Sequence, residues 1–167
     1  MKIIKFLPLT MILLLASCGK NEMKISRADK TIVPELIKQS PIYITKDNAG
    51  STSINENNTI GNTDWVFSVE SNLPIGEILP DVQRLIAKKY AEGMHSDNKK
   101  VYFLYIDTVA NKTAYLPIDG LEFITEKPTD SLTLRFDKNI STEKFIQEMV
   151  KITTADTLAQ KTKVFIY

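Results

Sequence analysis

Cysteine, histidine and tryptophan each occur once in the 167 residues, and the six glycines are scattered along the chain. A lone cysteine excludes an internal disulfide. With one imidazole as the only other strong ligand, a tetrahedral zinc site would have to rest on carboxylates. Neither GxGxxG nor the GxxxxGK motif with a following Ser or Thr occurs, so there is no glycine-rich cradle for phosphates. Charge of one sign is also missing, since 21 Lys and Arg face 20 Asp and Glu. Nucleic acid as a partner is therefore not expected, because neutralising phosphates needs a basic excess or stripe. His95 lies in the polar stretch Met94-His95-Ser96-Asp97-Asn98-Lys99-Lys100 with no nucleophile or orienting partner nearby. It reads as an exposed loop residue rather than a general base. The expectation is a protein that is not an enzyme, with no cofactor and no metal.

The first seventeen residues have a character of their own. Lys2 and Lys5 form a basic head, and residues 6–15 are apolar apart from Pro8 and Thr10. Small residues follow in Leu15-Ala16-Ser17-Cys18. A membrane span needs about 20 apolar residues, which this run does not supply. The head, the run and the last four positions together resemble a lipoprotein signal peptide ending in a bacterial lipobox. The resemblance implies cleavage before Cys18, acylation of Cys18 (palmitate among the acyl groups), and attachment to the cell envelope through lipid. The outer membrane, on its periplasmic face or at the cell surface, is the expected location. Removing Lys2 and Lys5 leaves 19 basic residues against 20 acidic ones.

Residues 18–63 read as the lipidated cysteine and a flexible tether, with residues 48–62, rich in Asn, Ser, Thr and Gly, as the clearest linker. Within it, Thr31-Ile32-Val33 and Ile42-Tyr43-Ile44-Thr45 are apolar enough to add an edge strand or pack on the domain. The globular domain is expected over residues 64–167. Residues 65–69 read as a buried strand. Ile75, Ile78, Leu79, Val82, Leu85, Ile86 and Tyr90 recur at helical spacing. Pro80 leaves two starts for that helix, at Pro80 itself or one turn earlier with a kink. Residues 101–106 and 113–118 pair as a hairpin across Ala110-Asn111-Lys112, and residues 121–125 continue the second strand. Residues 131–136 alternate as a half-buried strand. Ser141 or Thr142 caps a helix carrying Phe145, Ile146, Met149, Val150 and Ile152, and residues 163–167 form the last strand.

Two segments repeat one layout of strand, acidic residue, Asn-aliphatic turn and helix. Residues 69–79 align without gaps on residues 136–146, with Glu70 opposite Asp137, Asn72 opposite Asn139 and Leu73 opposite Ile140. The expected fold is α+β, two β-α-β-like units sharing one mixed sheet of about five strands with two helices, ferredoxin-like in outline. Glu70 and Asp137, at matching strand ends, are expected to cap the first helical turns.

The run from Leu134 through Phe136-Asp137-Lys138-Asn139-Ile140 to Met149 resembles the periplasmic domain of the ExbD/TolR biopolymer-transport family, and Leu73-Pro74-Ile75-Gly76 is similar to the turn of that family. The resemblance implies an ExbD-like α+β module that dimerises or binds envelope partners. That family is held by a membrane helix with a proton-carrying carboxylate, and no Asp or Glu occurs before Cys18. A proton-driven role is therefore not implied.

Asp107-Thr108-Val109, Asp130-Ser131-Leu132 and Asp156-Thr157-Leu158 resemble the Asp-Ser/Thr-aliphatic sites at which Bacteroidetes attach O-glycans to exported proteins. They make Thr108, Ser131 and Thr157 candidate modification sites, although Asp before Ser or Thr is also ordinary turn chemistry. The function expected is a lipid-anchored envelope interaction module, part of a transport or assembly complex, with an envelope protein or a second copy of the chain as partner. The alternative is a surface-exposed lipoprotein binding glycan or peptide, with Trp65, Tyr102, Tyr105 and Tyr115 as stacking residues.

Overall fold

The computed structural model describes residues 22–57, 59–91, 100–124, 126–128, 133–153 and 161–167. Trp65, Phe67 and Val69 share one parity of an aromatic, β-branched run, and all three are buried in the strand β4 (Asp64–Val69). β4 is the middle of a six-stranded sheet. It lies parallel to β2 (Gln39–Lys46) on one side and to β5 (Val101–Asp107) on the other. β3 (Thr52–Asn55) forms an antiparallel hairpin with β2, and β6 (Lys112–Pro117) forms one with β5. β5 outruns β4, and β1 (Arg27–Ala28) pairs with the exposed length at Ile106 and Asp107.

A second, three-stranded parallel sheet holds β7 (Leu121–Ile124), β9 (Thr162–Ile166) and β8 (Leu134–Phe136), with β9 central. The helices α1 (Ile75–Ala91) and α2 (Thr142–Ile152) connect β4 to β5 and β8 to β9. The fold is thus α+β with two β-α-β units, as expected, but each unit has its own sheet. Position explains the division. The first sheet ends at β3 on one side, and on the other Val33 exchanges backbone bonds with Tyr115 of β6, at 3.2 and 3.0 Å. The helices also need apolar cover from both sheets. Phe145 of α2 lies 6.3 Å from Phe103 of the first sheet and 6.5 and 5.0 Å from Phe123 and Phe136 of the second. One cluster of buried side chains joins both sheets and both helices.

Residues 39–57 are not a tether. Ile42 and Ile44 are fully buried in β2, and Ile54 of β3 packs against the same core. The polar composition that reads as linker belongs to a turn and an edge strand. Asp47 accepts the N–H groups of Ala49 and Ser51, and Gly50 takes a left-handed φ of 83°. Among the described residues the folded domain therefore extends back to Lys24 rather than beginning at residue 64.

The echo between the units is physical. Ile75 N–H donates to Ile140 C=O at 2.9 Å, while Thr142 N–H donates to Leu73 C=O at 2.7 Å. Gly76 donates to Lys138 C=O at 2.9 Å, and Glu143 donates to Ser71 C=O at 3.0 Å. Each donor and acceptor is matched by the residue 67 positions away, and Pro74 bridges its own counterpart Ser141. Reciprocal exchange of this kind relates the two turns by a local two-fold axis. It also decides how α1 begins. The first N–H groups of the helix are satisfied by the opposite turn, so it starts at Ile75 with Pro80 inside, where the ring removes only the bond to Gly76 C=O.

Candidate interaction surface

Period-two alternation in the three-stranded sheet turns Leu121, Phe123, Leu134, Phe136, Val164 and Ile166 to the core. The other parity faces outward. In register, Ile124 of β7 and Arg135 of β8 flank Phe165 of β9, while Glu122 stands opposite Lys163. Phe165 stacks on the half-exposed Tyr167, with centroids 5.8 Å apart and rings inclined by 27°. Phe165 and Ile124 belong to neither buried cluster. The Arg135 guanidinium reaches Pro128 C=O at 3.4 Å and is otherwise exposed. A row of Ile, Phe and Arg with a stacked Tyr, rimmed by charges, has the composition enriched at the centres of protein interfaces.

The outer face of the six-stranded sheet is closed differently. Val66, Tyr102 and Tyr115 there are covered by Val33 and Leu36 from the segment between β1 and β2. Trp65, Tyr102, Tyr105 and Tyr115 are all buried, Trp65 and Tyr105 completely. Their ring faces are used within the fold, so the stacking platform expected for a glycan or peptide is not formed by these residues. Trp65 donates to Ile60 C=O at 2.9 Å and carries the Lys89 ammonium 4.7 Å from its ring centroid. Tyr105 donates to Lys30 C=O, and burial pushes its pKa up to about 12.

Glu70 and Asp137 do occupy equivalent strand ends, but neither caps a helix. Glu70 accepts the N–H of Lys46, and Asp137 accepts the N–H and side-chain amide of Asn139. The N-cap of α2 is Ser141, whose hydroxyl accepts Lys144 N–H at 3.2 Å. The turn places each acid three or more residues ahead of the cap, too early to reach the first free N–H groups.

Thr108 sits in the β5–β6 turn with an exposed side chain. Its N–H and its hydroxyl both donate to Ala28 C=O, at 2.8 and 3.1 Å. Asp107 beside it accepts the Thr31 hydroxyl and the N–H groups of Ala110 and Val109, which hold its carboxyl below the usual range. The Asp-Thr pair therefore has a complete structural role in the turn. Thr108 also lines an open cleft of about 240 Å³ with Arg27, Gln147 and Lys151. Cys18, His95, Ser131 and Thr157 lie outside the described residues.

Asp119 gave no sequence signal beyond marking a turn. It ends the β6 side of the hairpin, and its Oδ1 accepts the Tyr90 hydroxyl and the Val101 N–H, while Oδ2 is buried without a partner. Burial raises its pKa. Among the described residues no group of three or more His, Cys, Asp or Glu is placed to hold a metal ion.

Fold and surface together define a class: a two-sheet α+β domain with an internal two-fold repeat and one outward apolar row. Comparison with protein-family models, with curated proteins and with solved structures produced no match.

Proposed function

We propose that this protein is a lipid-anchored interaction module of the bacterial cell envelope, working within a transport or assembly complex. The observation that carries the reading is the lipobox-like Leu15-Ala16-Ser17-Cys18 behind a basic head and an apolar run. No helix among the described residues is long and apolar enough to cross a membrane. The module resembles the soluble part of the ExbD/TolR family without a proton-carrying membrane helix. Contact with a partner is made through Ile124, Phe165 and Tyr167, with Arg135 and Lys163 at the rim. The partner is another envelope protein or a second copy of the chain.

A photo-crosslinking residue placed at Arg135 in growing cells tests this, with the same residue at the exposed Lys112 as control. An adduct of defined mass at position 135 and not at 112 is expected. Monomer alone at both positions would count against the proposed surface.

A further inference from the structure

Among the described residues the fold reaches back to Lys24, six positions after Cys18. Lys24 C=O accepts the Ser71 N–H at 2.8 Å, and Ile25 bridges Glu70. Only residues 19–23 intervene between the proposed anchor and this fixed point. Whatever conformation they take, a chain spans at most about 3.3–3.6 Å per residue, so Cys18 and Lys24 are no more than about 22 Å apart. A domain of about 150 residues has a radius of gyration of about 15 Å. The leash is therefore shorter than the domain is wide.

We propose that the corner formed by Lys24, Glu70, Ser71 and Asn72 is a membrane-apposed surface, held at the headgroups of the bilayer that anchors Cys18. This rests on acylation of Cys18. Its occupant is a lipid surface because the chain outside the structure ends in lipid after a handful of residues. Charge at the corner is mixed, with lysines standing beside Asp47, Glu70 and Asp137. Lys24 and Lys46 are exposed there, and so is Lys138, whose carbonyl is bonded to Gly76 of the facing turn. Glu70 accepts the backbone N–H of Lys46 at 3.2 Å. The start of β4 lies about 20 Å from this corner, six residues away at about 3.3 Å each. Ile60 and Asp64 at that end face away from the bilayer.

The test uses the full acylated chain in vesicles of phosphatidylethanolamine and phosphatidylglycerol containing a lipid with a nitroxide on its headgroup. With Cys18 blocked by acylation, Asn72→Cys or Ile60→Cys supplies the one free thiol for a fluorophore, and both positions are exposed. Quenching several-fold stronger at position 72 than at 60 is expected, and a flexible Gly/Ser insert after Lys20 should reduce the difference. Equal quenching, or stronger quenching at 60, would overturn the apposition. Palmitate labelling of the same samples separates the two failures. Missing label with background quenching at both positions means that anchoring has failed, and present label with equal quenching means that apposition alone has failed.

Discussion

Gly76 lies in close contact with the other half of the junction. A Cβ there would lie 2.6 Å from Lys138 Cβ and 2.9 Å from its carbonyl oxygen, so side chain and backbone would both have to move. Gly76→Ala is expected to destabilise the fold by about 1–3 kcal/mol, as overpacking does. Urea unfolding measures it, and a loss under about 0.5 kcal/mol, the range of ordinary surface changes, would contradict the close approach. Asp119 yields a pH prediction. Its raised pKa means that the folded state holds the proton where the unfolded chain has released it. Its stabilising contribution is complete below the unfolded value, near 3.9, and falls as pH rises through the folded value. Asp119→Asn should therefore gain stability relative to wild type between pH 4 and pH 7. Parallel stability profiles would refute the assignment. Neither residue was legible in the sequence, because the partners that give them meaning, Lys138, Tyr90 and Val101, are brought in by tertiary structure.

At the scale of elements, α2 was legible almost to its ends, since its signals are local: a Ser cap, helical spacing, and Thr153, whose N–H and hydroxyl both return to Met149 C=O. Ser141→Ala should cost about 1 kcal/mol in thermal or urea unfolding. Phe145→Ala, which empties the contact joining both sheets, should cost about 3–5 kcal/mol. A Phe145 loss no larger than that of Ser141 would show that the sheets do not share the helix as described. Ile42 to Thr45 was legible as a candidate edge strand, but the interior place of β2 between β4 and β3 was not, for a physical reason. Its buried parity, Ser40, Ile42 and Ile44, is broken by a Ser, and Pro41 argues against a central strand. The proline is tolerated because β3 pairs only with Tyr43 to Lys46, which leaves that edge without a strand partner at Pro41 among the described residues. The division into two sheets was also illegible, since alternation encodes a strand's period and not the sheet that takes it. Residues 162–167 did carry a clue: Val164 and Ile166 on one parity and Phe165 and Tyr167 on the other mark a strand with apolar groups on both faces.

For the whole molecule, the repeat in residues 69–79 and 136–146 became the organising contact, a two-fold junction from which both helices start. The proposed lipid address, by contrast, rests on the first eighteen residues of the sequence and owes nothing to the fold. On the proposed reading, a domain held close to a bilayer presents the row of Ile124, Phe165 and Arg135 to a partner. Phe165→Ser with Tyr167→Ser should abolish the crosslink at position 135 while leaving the unfolding midpoint nearly unchanged, because neither ring is part of the core. The central claim is anchoring at Cys18, and metabolic labelling with a palmitate analogue tests it most directly. Label on the wild-type chain that is lost in Cys18→Ser is the predicted result; label that persists in Cys18→Ser, or is absent from the wild type, would contradict it.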